Sequence, residues 1–442
     1  MVYNAYISPL RVIPGPKLCS LSEFSIMIRR PEGRVFEWFY QLHHKYGSVV
    51  RVGPKFILFS SKEAVRQILV INDLPKIDSI AGIRADPEIA TLFSATDRIF
   101  HKQRKRLLSP AFSIKYIASL EPLMQSCINV LVDRIKTISS ITNIIGETAF
   151  GESFNLVEKG DHPLPGKVFQ ELKRRVLYHT FPYMRPFLKK DSWTDEFIQK
   201  IIKERRNLNA QGKTREDILQ IILDTRDEVT NEGLNEFEIQ DQIMEFLIAG
   251  SDTSSFSINM ALIMLLHHPE KLRNLINELS SAFPNGPQSL NHENLKDLKY
   301  LNAVINEILR RFPAAMGGIL RQTNSDMMID GYFVPKDTIV SASIYQVQHS
   351  KEIWGVDADE FVPERWINGD SVKLKRNIFT FGAGSRLCIG NNFAMMEIRL
   401  VLASLLLNFE FEMVEKQDLQ IVQFITPSLR SKKFDVGIRV RN

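Results

Sequence analysis

Cysteine is scarce in this chain of 442 residues: there are three, Cys19, Cys127 and Cys388, far apart and without a CxxC pair. That spacing excludes a disulfide framework and a four-ligand zinc site, and such usage fits a reducing compartment. Also missing is any apolar run of the roughly 18 residues that a membrane-crossing helix needs. The opening MVYNAYISPLRVIPGPK is too polar for a signal peptide. Neither sign of charge dominates: 56 Lys and Arg against 51 Asp and Glu leave +5. A balance so mild points to no nucleic-acid partner. Repeats and low-complexity linkers are absent too, so a single domain over 1–442 is the simplest organisation. At 44% hydrophobic and 24% charged the chain can bury a large core.

The periodicities describe a helix-rich chain with a minor β part. A Pro14-Gly15-Pro16 hinge closes the first 17 residues, and a helix is expected around Phe36–Tyr46. GSVVRVGPKFILFSS (47–61) alternates as a strand pair turning at Gly53-Pro54. From about 62 to 312 the pattern is mostly helical. Short strand-like runs return over 323–345, in MMIDGYFVP and TIVSASIY, and the final 35 residues read as a long helix followed by strands.

Three stretches carry chemistry. The first is FTFGAGSRLCIG (379–390), where Cys388 stands among glycines and an arginine rather than in an apolar run. A thiolate there gains from nearby donors and from the N-terminus of the helix begun by NNFAMMEIRLVLASLL. Gly384 and Gly390 would let the backbone turn its amides toward the sulfur. The second is EFEIQDQIMEFLIAGSDTSSFSINMALIMLLHH (236–268), capped by Asn235 with Glu238 three residues on. At 1.5 Å per residue it spans roughly 45–50 Å. It is apolar nearly all round, hence buried, yet Gly250, Asp252 and Thr253 interrupt its middle. That is either a tolerated polar spot or a groove in which Asp252 carries protons. The third is LNAVINEILRRFP (301–313), with Glu307 and Arg310 on one helical face. The same ExxR spacing recurs at Glu63/Arg66, Glu171/Arg174 and Glu270/Arg273, where a solvated surface pair is the expectation.

Taken in order, these stretches resemble the cytochrome P-450 superfamily of haem-thiolate enzymes over nearly the whole chain. The family's haem loop is matched by Phe381, Gly384, Arg386, Cys388 and Gly390; its long-helix signature by Ala249, Gly250, Asp252, Thr253 and Ser254. Glu307 and Arg310 match its ExxR, and Pro363, Glu364, Arg365 and Trp366 its Pro-Glu-Arg segment. The resemblance implies the mainly α fold of that family, with haem b held between the long helix and the cysteine loop. Cys388 is the implied axial ligand. Arg386 and Arg321 are the implied propionate partners, and Glu307, Arg310 and Arg365 a buried network fixing the loop. Asp252 and Thr253 are implied as the acid and hydroxyl that bring protons to dioxygen. The implied activity is insertion of one oxygen atom into a lipophilic substrate, contacted by loops 80–95, 175–187 and Ala314–Ile319. Electrons would come from an NADPH-dependent reductase, with cytochrome b5 as an auxiliary donor. The alternatives are a reductase-independent peroxygenase or hydroperoxide isomerase, and a non-catalytic haem-thiolate ligand sensor.

The chain also departs from the family. In IFHKQRKRLLSPAF, His101 stands at the position of an expected Trp and Lys105 at that of an Arg, with Arg104 or Arg106 as substitutes. This pattern is similar to some fungal members. The stretch around 131–151 is short, and the anchor that precedes the Pro-Gly hinge in an endoplasmic-reticulum enzyme is missing, which leaves a membrane surface as the expected partner. Lys102, Arg104, Lys105 and Arg106, with Lys373, Lys375 and Arg376, are expected to form a docking face for an acidic reductase.

Overall fold

A computed structural model describes residues 3–84, 88–134, 163–180, 186–188, 191–227 and 230–441. The short stretch around 131–151 therefore lies largely outside the described residues, as do parts of the 80–95 and 175–187 loops.

The first helix, α1 (Val35–Tyr46), leads into strands β1 (Val49–Gly53) and β2 (Phe56–Phe59), which pair antiparallel as the alternation predicts. Pro14-Gly15-Pro16 is not a free hinge. The Pro14 carbonyl accepts from Arg51 N at 2.8 Å, and a Cβ on Gly15 would stand 2.2 Å from the Arg51 carbonyl oxygen. The principal helices that follow are α2 (Arg98–Leu108), α3 (Glu121–Arg134), α4 (Pro163–Thr180), α5 (Trp193–Ala210), α6 (Glu236–His267), α7 (Pro269–Ala282) and α8 (Lys299–Arg311). Among the described residues none is long and apolar enough to cross a membrane.

Strands then alternate with short helical turns: β3 (Ile319–Gln322), β4 (Met327–Ile329), β5 (Tyr332–Val334) and β6 (Ile339–Ala342). TIVSASIY is strand only in its first half, because Ile344–Gln348 turns helical. β6 inserts beside β2 in parallel, giving a four-stranded sheet of order β1-β2-β6-β3. The helix α9 (Asn391–Asn408) follows the cysteine loop. It ends at Asn408, so the long helix expected inside the final 35 residues lies before them. Beyond it come β7 (Phe409–Met413), β8 (Ile421–Gln423), β9 (Pro427–Leu429) and β10 (Val436–Val440), paired as two ribbons, β7 with β10 and β8 with β9.

The largest apolar cluster is built on α6, α8 and α9 with α3 and α5 around them; a second, smaller one sits under the four-stranded sheet. The capping box is present at the start of α6. Asn235 Oδ1 accepts from Glu238 N at 3.0 Å and Glu238 Oε2 from Asn235 N at 2.9 Å. That cap fixes where the 32-residue helix enters the core.

Candidate active site

The cysteine loop is held from several sides. Phe379 N donates to Gln348 Oε1 at 2.7 Å, and Thr380 Oγ1 donates to the Leu309 carbonyl at 2.6 Å. Cys388 N donates to the Phe381 carbonyl at 2.9 Å, closing the loop on itself. Gly384 takes φ +71°, and a Cβ there would lie 2.1 Å from the Leu69 carbonyl oxygen, so only glycine fits. Gly390 is different: its φ is −85° and a Cβ there would meet only Phe112 Cε1, at an ordinary 3.9 Å, so no turn requires a glycine there. Its contribution is its amide, which donates to the Cys388 sulfur. Ser385 Oγ donates to both oxygens of the buried Asp73, at 2.7 and 2.8 Å, and Asp73 also pairs with Arg98 at 2.9 Å. Asp73 and Gln348 are anchors that no sequence motif flagged; they act through contacts 312 and 31 residues away.

Beneath the loop lies the charge network. Arg310 grips Glu307 with Nε and Nη2 at 2.9 and 2.8 Å and donates Nη1 to the Gln348 and Ala358 carbonyls, both at 2.7 Å. Glu307 also accepts from Arg365 Nε at 3.1 Å, Trp366 Nε1 at 2.9 Å and Val362 N at 3.0 Å. Both Glu307 and Arg310 are 0% exposed. Burial pushes the Glu307 carboxyl up, but Arg310 and Arg365 outweigh it and hold the carboxyl below its ordinary value. Of the four ExxR pairs this one is the fully buried hub. Glu171 departs from the surface expectation as well: it is buried and pairs with Arg174 at 2.7 Å and Arg175 at 2.9 Å.

Cys388 has accessible surface although protein surrounds it on most sides. Its surface therefore faces an interior cleft. Burial pushes its thiol up, while the Gly390 amide and the Lys105 charge pull the other way. Lys105 Nζ donates to the Ser385 and Leu387 carbonyls, both at 2.9 Å. On α6, Ala249 is exposed in the middle of a helix that runs largely through the core. Thr253 Oγ1 donates back to the Ala249 carbonyl at 2.7 Å, and Ser257 Oγ to the Thr253 carbonyl at 3.0 Å. Asp252 accepts from Thr426 Oγ1 at 2.9 Å, and burial raises its carboxyl.

A group of cations joins the two walls. Lys76 donates to the Phe93 carbonyl at 2.5 Å. It feels Glu245 on α6 together with Arg321, Arg386 and Lys105, and burial among them drives it down to about 7. Arg321 is pushed to about 10 by burial and by Arg386. His101, buried beside Arg386, Lys76 and Lys105, is driven to about 3 and stays a neutral imidazole. Arg386 donates to the Ala95 and Thr96 carbonyls at 2.9 and 3.1 Å, while its Nε has no partner. Facing these cations are Asp73 and Glu245. Lys76 was not evident from the sequence; a lone lysine after Leu74-Pro75 gives no periodic signal.

This donor set fits a haem. A thiol faces the cleft with an amide directed at it and a lysine charge nearby, and Arg321, Arg386, Lys76 and neutral His101 offer the cationic and hydrogen-bonding partners that two propionates would require. The orphaned Arg386 Nε is the kind of buried donor that such a carboxylate would satisfy.

The expected basic docking face is only partly there. Arg104 is buried against Glu238, Arg106 pairs with Asp227 at 2.8 Å, and Lys105 serves the cysteine loop, so these three are committed elsewhere. Neither Arg104 nor Arg106 substitutes for the missing arginine. Lys102, Lys373, Lys375 and Arg376 remain exposed.

Comparison with known proteins agrees with this geometry. The family model "Cytochrome P450" matches residues 14–434. The monooxygenase acrD of Aspergillus aculeatus is 35% identical, covering 97% of this chain and 90% of its own length. LUC2, a monooxygenase of a Fusarium species, is 31% identical over 100% of this chain and 91% of its own. The crystal structure of the cytochrome P450DA heme domain superposes with a TM-score of 0.80 at 23% identity, over 92% of this chain and 93% of that one. The chain belongs to the cytochrome P450 family and is a monooxygenase of that family, with its mainly helical fold and thiolate-ligated haem.

Proposed function

We propose that this enzyme inserts one atom of dioxygen into a lipophilic organic substrate, drawing electrons from an NADPH-dependent reductase. The observation that carries the reading is the surroundings of Cys388: a cleft-facing sulfur, an amide donor from Gly390 and a lysine charge, in a loop that the Glu307 network holds still. Haem b, when bound, supplies thiolate-assisted oxygen activation. The chain's residues do the rest. The Gly390 amide and Lys105 stabilise the sulfur as thiolate, while Arg321, Arg386, Lys76 and His101 hold the propionates. Asp252 carries a proton on its carboxyl into the groove bordered by Ala249 and Thr253. The Thr253 hydroxyl, now spent on the Ala249 carbonyl, is the adjacent group able to pass that proton on.

The Ala314–Ile319 segment and the cleft-facing turn of α6 are apolar apart from these groups, which supports a lipophilic substrate. Exposed Tyr6, Leu18, Phe24 and Met27 near the N-terminus support adsorption to a membrane surface, consistent with work on the cytosolic face of the endoplasmic reticulum. Exposed Lys373, Lys375 and Arg376 support docking of an acidic reductase, with cytochrome b5 as a second donor.

The test is a carbon-monoxide difference spectrum of the reduced holoprotein, followed by turnover of a lipid and terpenoid panel under 18O2. A red-shifted Soret band and one labelled oxygen in the product are expected, with both lost completely in Cys388→Ala. A wild-type protein without the band, or product oxygen drawn from water, would overturn the reading.

A further inference from the structure

Asp252 is a half-buried acid whose carboxyl has a single hydrogen bond among the described residues, and that bond comes from outside its own helix. Thr426 Oγ1 donates to its Oδ2 at 2.9 Å from the turn joining β8 to β9. This ribbon is also tied to the segment after α8. Gln423 Oε1 accepts from Gly317 N at 2.8 Å, and Gln423 Nε2 donates to the Ala314 carbonyl at 3.1 Å. Its tip, Phe424 and Ile425, is 58% and 39% exposed. Gln423 N also donates to the Gly33 carbonyl at 2.7 Å, and Val422 is buried. A ribbon of two three-residue strands has little stability of its own, so its position depends on these contacts.

We propose that the β8–β9 ribbon governs the acid: Thr426 is a positioning residue that holds the Asp252 carboxyl and sets its proton affinity, and an occupant of the cleft that displaces the ribbon releases it. The inference rests on Asp252 as the proton carrier of the proposed monooxygenase. The physical reason is that one neutral donor acts almost alone. Burial favours the protonated carboxyl, and the Thr426 hydroxyl, donating to the carboxylate, opposes it. Among the described residues no ionised neighbour acts on it. Arg430, at the foot of the ribbon, is turned to Asp418 at 2.9 Å, and Glu397, which α9 contributes to the helix interface, faces Ser254. Removing the hydroxyl leaves burial unopposed, so Asp252 keeps its proton to higher pH. Moving the ribbon does the same without mutation.

The experiment is an infrared difference titration of the haem-loaded enzyme, with the protonated-carboxyl band assigned by its loss in Asp252→Asn. Thr426→Val keeps the side-chain shape and removes the donor; Thr426→Ser keeps the donor. The midpoint is expected to rise by about one pH unit in Thr426→Val and to stay at the wild-type value in Thr426→Ser. Equal midpoints in wild type and Thr426→Val would overturn the positioning role. Repeating the titration with clotrimazole, a lipophilic azole, in the cleft tests release. The difference between wild type and Thr426→Val is expected to collapse, and a difference that persists undiminished would overturn the ribbon's control. The carbon-monoxide spectrum is recorded on the same samples. Its red-shifted band separates failure of this inference, where the band stays, from failure of the monooxygenase reading, where it is missing.

Discussion

The two walls of the cleft are held in opposite ways. On the cysteine side, Glu307, Arg310, Arg365, Trp366 and Gln348 form one continuous set of bonds from α8 to Phe379, and Asp73 clamps Ser385 from the far side. On the α6 side, the Asp252 carboxyl has one bond to a ribbon tip and the Thr253 hydroxyl has one to its own helix. The proposed function gives this contrast a reason: a ligand atom whose position must not drift is surrounded by redundant contacts, and a group that must gain and lose a proton is held by few, since each further bond would favour one protonation state over the other.

This contrast is open to test. The largest effect is expected on the redundant side. Glu307→Gln leaves Arg310 buried without its counter-charge and should cost about 3–5 kcal/mol, read as a lower chemical-denaturation midpoint and faster haem loss. The same carboxyl gives a pH dependence. Its folded value lies below the ordinary 4.5, so its stabilisation is complete above that value and is lost only as pH falls through the lower folded one. Wild type should therefore lose stability in acid more steeply than Glu307→Gln, as denaturant midpoints from pH 6 to pH 3 would show.

Next in size is the sparse side. Asp252→Asn should slow reductase-driven oxygenation on the order of 10²-fold while leaving the denaturation midpoint almost unchanged. A variant that lost stability and activity together would erase the distinction between the walls. Gln348→Ala sharpens it: the loss of one junction should cost about 1–3 kcal/mol without abolishing the red-shifted carbon-monoxide band, because Thr380 still ties the loop to Leu309. Smallest is the outer surface. Charge reversal at Lys373 and Lys375 should slow reductase-supported turnover roughly 3–10-fold at low salt and hardly at all at high salt. An effect independent of ionic strength would remove these lysines from docking.

How much of this was legible in the residues differs between the walls in the same way. Motif spacing located Cys388, Glu307, Arg310, Arg365, Asp252 and Thr253, because each is bound to a local backbone requirement: a tight loop, a helical face, a polar break in a buried helix. The partners were not legible. Asp73, Gln348, Lys76 and Thr426 carry no periodic signal and acquire their roles from contacts across tens to hundreds of residues. The basic run in α2 shows the reverse error. Four cations in five residues look like one surface, but an 11-residue helix distributes them around its axis. Arg104 thus faces the core and Glu238, and Lys105 the cysteine loop.

The sequence by itself determined the family, the mainly helical fold, the cysteine loop and the position of the long capped helix, since these follow from short-range chemistry and hydrophobic period. Only the tertiary structure decided that a second ExxR acid, Glu171, is buried as well, which cations face the cleft and which acid is left with one side-chain bond. Those outcomes depend on burial and on partners distant in the chain, and burial is what turns an ordinary surface ion pair or a spare carboxyl into a group with a function.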